Sequence, residues 1–247
     1  MVGEVTFLDM VVFIAAMALG QGMQAAQTPE AYTRNVTIQV QGRYLLYLPP
    51  DYAKNPHKRY PLILFLHGSG ERGTDLDKVK VHGPPKEIEK GRQFEFIILS
   101  PQCDDRGGWQ VPSLMGLLDE AEHKFRVDKD REYLTGLSMG GMGTYALAAA
   151  QPKRFAAIAP ISGAANASIA PKIKDIPIWA THGDHDPSVN IAGEQPLIDA
   201  LRQLGAEVKF DVIPGGLHDV WTPVYQSHAL YDWFLRHTLR GGVHGTS

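Results

Sequence analysis

The chain has 247 residues, of which 44% are hydrophobic and 21% charged, with a formal net charge of −3. That length suits one sizeable core and is too short for two comfortable ones, while the near-balanced, scattered charge offers no surface for nucleic acid. A single cysteine, Cys103, excludes an intramolecular disulfide and any cysteine-based metal cluster, and it reads as a small buried hydrophobe.

The first stretch, "FLDMVVFIAAMALG", is too short for a membrane span of about 20 residues and has the length of a secretory signal core. "MQAAQ" follows as a small-residue cleavage region, but Glu4 and Asp9 stand where a signal normally carries positive charge. Two readings of residues 1–27 therefore stand side by side. One is an export signal, which implies a secreted or periplasmic protein. The other is a retained helix packed on the domain or on a second copy of the chain, which implies a cytoplasmic protein and a homo-oligomer. Residues 28–247 read as a single domain.

From Thr33 on, "NVTIQVQGRYLLYLPPDY" alternates and breaks at Gln41-Gly42, which predicts an antiparallel hairpin ended by Pro49-Pro50. Short apolar runs then recur: "LILFLH", "FEFIILSP", "EYLTG", "FAAIAPIS", "IPIWATHG" and "EVKFDVIPG". Runs apolar on both faces are strands covered by helices on both sides. Between them "VPSLMGLLDEAEHKF", "GMGTYALAAA" and "IAGEQPLIDALRQLG" have helical spacing, the last with Asn190 as cap and Gly205 as stop. A final amphipathic helix is expected over "WTPVYQSHALYDWFLRHT". This alternation predicts an α/β fold with a mostly parallel central sheet, helices on both faces and the antiparallel strands at the start.

Reactive groups in such a sheet gather at the carboxyl ends of the strands. There the chain places "HGSGERG", "GLSMGG", "HGDHDPSV" and "GGLHDVW": a glycine turn, a serine, acids and a histidine, in that order. Ser138, in Gly136-Leu137-Ser138-Met139-Gly140, stands between an apolar run and a small-residue helix. A serine there can cap the helix, but a cap needs neither flanking glycine, whereas a nucleophile on a strained strand-to-helix turn needs both. Its hydroxyl needs a base. Of ten histidines, His218 alone lies in the loop after the last strand, with Gly215 and Gly216 before it. His67, His82 and His123 lie in earlier connections, and His228 and His237 fall in the last predicted helix, where surface positions are expected.

The acid that orients the base is either Asp184 or Asp186. His182, Asp184, His185 and Asp186 also form a conceivable metal set, but the chain lacks HExxH or any paired-histidine motif, so no metal or other cofactor is expected.

Together, "LFLHGSGERG", "GLSMGG", "HGDHDPSV" and "GGLHDVW" resemble the motifs of single-domain α/β-hydrolase esterases, the group that includes polyhydroxybutyrate-depolymerase-like and feruloyl esterases and related "predicted peptidases". The resemblance runs from the hairpin to the last helix. Within that group the pattern HGxxDxxV makes the second acidic position catalytic, which implies Asp186, with Val189 completing the motif and Asp184 left as a turn residue. It also implies oxyanion-hole N–H groups at Ser69 and Met139 and a pocket-lining tryptophan, Trp109. Leu217 and Trp221 flank His218 and are candidate walls of the site, while Glu71 and Arg72 are expected to brace the glycine turn. The implied activity is hydrolysis of short-acyl or aryl carboxylic esters through an acyl-serine. A peptidase or thioesterase on the same residues is the alternative within enzymes, and a binding protein on an inactive scaffold is the alternative outside them. The 13 residues "GAANASIAPKIKD" after the fourth apolar run are too few for a cap domain.

Overall fold

The computed structural model describes residues 39–104 and 107–239, together with positions 31 and 33. The apolar segment over residues 1–27 and the first half of the expected hairpin lie outside the described residues.

Among the described residues seven strands form one sheet in the order β1-β3-β2-β4-β5-β6-β7: β1 (Tyr44–Tyr47), β2 (Tyr60–Leu66), β3 (Ile97–Pro101), β4 (Val127–Leu137), β5 (Ala157–Ile161), β6 (Ile178–Gly183) and β7 (Val208–Ile213). β1 runs antiparallel to β3, and every other pairing is parallel. Among the described residues the helices are α1 (Gly83–Glu89), α2 (Val111–Lys124), α3 (Met139–Ala150), α4 (Ala170–Ile173), α5 (Gln195–Gln203), α6 (Trp221–Gln226) and α7 (Ala229–Leu235).

The central strands are apolar on both sides because both faces of the sheet are covered there. In β2 every side chain is buried. Leu62, Leu64 and Leu66 pack with residues of α2, α3, α4 and α5, while Ile63 and Phe65 meet α6 and α7 on the opposite face. Side chains alternate along a strand, so "YPLILFL" serves two cores at once.

Three expectations change in detail. The helix predicted after Asn190 begins as a 3-10 turn, Ile191–Gly193, with the Asn190 side chain accepting the Ala192 N–H, and becomes α-helical only at Gln195. The last predicted helix is two. Ser227 adopts an extended conformation after α6 and its hydroxyl accepts the Ala229 N–H, which restarts the chain as α7. β4 begins at Val127, well before "EYLTG": Val127 is buried and pairs with Tyr60, the register then shifts before Glu132 pairs with Leu62, and the polar residues between carry an Arg131–Asp128 ion pair.

Candidate active site

The chain enters the site at the β4–α3 joint. Ser138 has φ 55° and ψ −118°, a conformation that L-residues adopt only when their surroundings impose it. Its neighbours impose it here: a methyl on Gly136 would stand 2.4 Å from the Gly140 carbonyl oxygen, so strand and helix meet with no room for side chains. The Ser138 hydroxyl does not cap α3. It lies 2.9 Å from His218 Nε2.

His218 is held from three sides. Its Nδ1 stands 2.7 Å from Asp186 Oδ2, which fixes that nitrogen as the donor and leaves Nε2 to accept from the serine. The Trp221 ring packs at a right angle to the imidazole, with centroids 5.0 Å apart. The Ser162 hydroxyl donates to the His218 backbone carbonyl at 2.9 Å, and Ser162 is itself forced to φ 48°. The loops after β6 and β7 are also tied together, the N–H of His185 donating to Gly216 and that of Asp184 to Ile213.

Asp186 has no exposed side-chain surface. Its Oδ1 accepts the backbone N–H groups of Ser188 and Val189 at 2.8 and 2.9 Å. Burial pushes its carboxyl up, but the bond from His218 and the two amides outweigh burial and hold it below the usual carboxylate range. Asp184 pairs instead with the exposed ring of His185 at 2.7 Å. Of the two candidate acids, Asp186 is the one that meets the histidine.

The glycine turn after β2 stands opposite. Ser69 opens a 3-10 turn and Met139 opens α3, so both amides occupy first positions of helical turns, where N–H groups have no partner within the helix. The Gly68 N–H donates to Glu71 Oε2 at 2.9 Å and Arg72 Nε donates to the Ser69 carbonyl, so both side chains brace the turn. His67 is wholly buried: its Nδ1–H donates to the Gly68 carbonyl at 2.7 Å and its Nε2 accepts the Cys103 N–H at 3.0 Å. Burial, the largest influence, keeps this imidazole below its ordinary pKa. Glu71 Oε1 also reaches His82 at 3.8 Å, and His82 Nδ1 accepts the Trp221 indole N–H at 3.3 Å. The glycine turn is thereby linked to the ring that backs His218.

Trp109 is half-buried, donates its indole N–H to the His67 carbonyl and packs on the His67 ring at 4.8 Å. It lines a cavity of about 360 Å³ together with Tyr44, Arg43, Gln102 and Leu114. Neither Ser138 nor His218 lines that cavity, which adjoins the site through Gly108, packed beside Met139. Leu217 is 62% exposed, whereas Trp221 is buried. Of the two candidate walls, Trp221 therefore backs the histidine and Leu217 is open to solvent. His237, expected on the surface, is buried between the Trp233 carbonyl and Glu207. The sequence does not mark Ser162, His67 or His82 as parts of this arrangement. Ser162 carries one usable signal, a polar residue closing the apolar run "FAAIAPIS".

Residues 110–230, which include Ser138, Asp186 and His218, match the family described as Phospholipase/Carboxylesterase. The solved structure of a thermostable esterase superposes with a TM-score of 0.68 at 29% identity, covering 79% of this chain and 59% of that one. The chain has the α/β-hydrolase fold. Among curated relatives, a probable feruloyl esterase C of Aspergillus niger is 31% identical over 64% of this chain and 60% of its own length. The bifunctional acetylxylan esterase/xylanase XynS20E of Neocallimastix patriciarum is 28% identical over 59% of this chain and 21% of its own. The chain thus spans less than two thirds of the length of either relative.

Among the described residues no helix is long and apolar enough to cross a membrane, and no group of three or more His, Cys, Asp or Glu side chains is arranged to hold a metal ion. Of the conceivable metal set, both ring nitrogens of His182 are engaged, with Glu194 Oε2 at 2.6 Å and the Val189 carbonyl at 2.8 Å.

Proposed function

We propose that this α/β-hydrolase is a serine carboxylesterase acting on short-acyl or aryl esters. The observation that carries the reading is the Ser138 hydroxyl, withheld from its own helix and set 2.9 Å from His218 Nε2. Ser138 attacks the ester carbonyl while Nε2 of His218 takes its proton. Asp186 keeps the other ring proton on Nδ1 and stabilises the imidazolium as it forms. The oxygen that becomes negative in the tetrahedral intermediate is received by the N–H groups of Ser69 and Met139, a role supported by their place at the first positions of helical turns, where amides lack a partner within the helix. His218 then gives that proton to the departing alcohol as its bond to the carbonyl carbon breaks, and the acyl group is left bonded to Ser138. Water then adds to the acyl carbonyl as His218 takes its proton, and this second intermediate collapses by breaking the bond to Ser138 Oγ, to which His218 returns the proton as the acid leaves.

The substrate class rests on the relatives named as feruloyl and acetylxylan esterases, one acting on an aryl acid and the other on the shortest common acyl group. A sulfonyl fluoride is expected to label Ser138 alone, and Ser138→Ala to leave only the residual ~10³–10⁴-fold acceleration over water that binding and the oxyanion donors supply. Labelling of another residue, or full turnover of 4-nitrophenyl acetate by Ser138→Ala, would refute the assignment. Parallel assays with a thioester and a peptide anilide test the alternative leaving groups.

A further inference from the structure

One cluster of buried titratable groups takes no part in the steps above. His182, at the end of β6, has no exposed side-chain surface. Its Nδ1 lies 2.6 Å from Glu194 Oε2, and its Nε2 lies 2.8 Å from the Val189 carbonyl oxygen. That Nε2 is also 3.4 Å from Asp186 Oδ2, the same oxygen that meets His218 Nδ1. The other oxygen of Glu194 accepts the hydroxyl of the buried Tyr145 at 2.7 Å. Behind the aspartate there is therefore a second histidine with a second carboxylate, sealed from water.

The chemistry of the partners sets the charge. A carbonyl oxygen only accepts, so Nε2 of His182 carries a proton. Nδ1 faces a carboxylate oxygen, and imidazole is the stronger base of that pair, so Nδ1 carries a proton as well. Burial alone would push the His182 ring toward neutrality, but Glu194, the Val189 carbonyl and Asp186 reverse that and raise its pKa. Burial also lifts the Glu194 carboxyl, while His182 and Tyr145 favour its anion. The second carboxylate, Asp186, tips the shared proton to the ring. The titratable groups facing His182 are Glu194 from the turn before α5, Asp186 from the loop after β6 and, behind Glu194, Tyr145 from α3. His218 stands across Asp186.

Resting on the roles given to Asp186 and His218 above, we propose that His182 is a positioning residue, a buried cation that holds the Asp186 carboxylate from behind and sets how far into acid His218 works as a base. A positive charge beside the shared oxygen draws on the same negative charge that would stabilise protonated His218. His218 therefore stays neutral, and usable as a base, to lower pH than with Asp186 unopposed. Glu194 and Tyr145 keep the cation in place.

Glu194→Gln tests this with little change of shape. The amide can donate to Nδ1, which leaves His182 neutral with its proton on Nε2. The acid limb of kcat/KM for 4-nitrophenyl acetate is expected to move up by about half a pH unit, the effect of losing one nearby charge pair at an effective dielectric of about 20. KM on the plateau is expected to stay the same, since nothing in the cluster faces the substrate side. A limb that stays put or moves down, or a change confined to KM, overturns the proposal. The wild-type protein supplies a second readout that survives a misfolded variant: ¹⁵N shifts of the His182 ring are expected to show both nitrogens protonated at neutral pH. A ring nitrogen without a proton there overturns the proposal too. Retained turnover in Ser138→Ala would instead remove the reading on which it rests, so the two failures are separable.

Discussion

A methyl group built on Gly140 would stand 1.9 Å from the backbone oxygen of Leu66, so the first turn of α3 lies directly against the end of β2. This approach sets the Ser138 turn against the glycine turn that follows β2. Gly140→Ala is expected to cost about 3 kcal/mol or more, because backbone cannot yield as a side-chain tip does. Gly42→Ala, where an added methyl would meet nothing within 4 Å, should change stability by less than about 0.5 kcal/mol. Denaturant midpoints of the two variants check the contrast, and equal costs would contradict the packing argument.

The strain at Ser138 makes a second, less obvious prediction. Holding a non-glycine residue at φ 55°, ψ −118° costs about 1–3 kcal/mol. Ser138→Gly relieves that strain, loses the hydroxyl contact to His218, and adds chain entropy to the unfolded state worth about 0.5–1 kcal/mol. The variant should be inactive yet as stable as the parent, or more stable by up to about 1 kcal/mol. Calorimetry showing a loss well beyond 1 kcal/mol would mean the turn is not strained.

The two aspartates of "HGDHD" should separate cleanly. Asp186→Asn leaves His218 facing an amide that can present its N–H, which favours the wrong tautomer, and kcat should fall by on the order of 10⁴. Asp184 pairs with exposed His185, and Asp184→Asn should alter kcat only a few-fold. The reverse ranking would transfer the orienting role to Asp184.

Much of this was legible because strongly constrained backbone leaves strongly constrained sequence. The continuous apolar runs of β2, β3 and β5 marked a doubly covered sheet, and the glycines around Ser138 marked a turn with no space for side chains. Less legible was anything decided by a single long-range contact. Residue spacing does not show that the Ser227 hydroxyl restarts the chain as a separate helix, or that Ser162 reaches the carbonyl of His218. His182 appeared in the sequence as a conceivable metal ligand because His and Asp are compatible with either reading. Only the position of Glu194, brought back by the turn before α5, shows that the ring is occupied by a carboxylate. Trp221 and Leu217 both lie close to His218 in sequence, yet one is buried and the other open, since α6 begins at Trp221 and turns its face to the core.

His67 predicts a pH dependence of stability. Its ring is kept neutral by burial, with a pKa below the ordinary value, whereas in the unfolded chain it titrates near about 6.5. Below that pH the unfolded state binds more protons, so the contribution of His67 to stability is present at higher pH and declines as pH falls below about 6.5. His67→Gln loses the bonds to Gly68 and Cys103 and should be less stable than wild type at pH 7.5. The gap should narrow by pH 5, as measured by urea unfolding. A gap that widens in acid would show that the ring is charged in the fold.

The last prediction concerns acyl length. Between β5 and β6 the chain carries only a 3-10 turn, Ala167–Ile169, and the short α4, where a lid would need a helix long enough to cover an apolar groove. Each methylene left in water forgoes about 0.8 kcal/mol of binding, so a chain lengthened beyond the walls of the site gains little. On the other side, Trp109 and the cavity of about 360 Å³ beside it offer an aromatic surface within reach of the Met139 turn. kcat/KM should therefore be highest for acetyl to butyryl esters, flat or falling for octanoate and palmitate, and substantial for methyl ferulate. Trp109→Ala should raise KM for methyl ferulate more than for nitrophenyl acetate, provided that circular dichroism shows the fold intact, because the indole also anchors the His67 carbonyl. A kcat/KM that climbs steadily to palmitate, with activation at a lipid interface, would require an apolar cover over Ser138 and would count against the open site argued here.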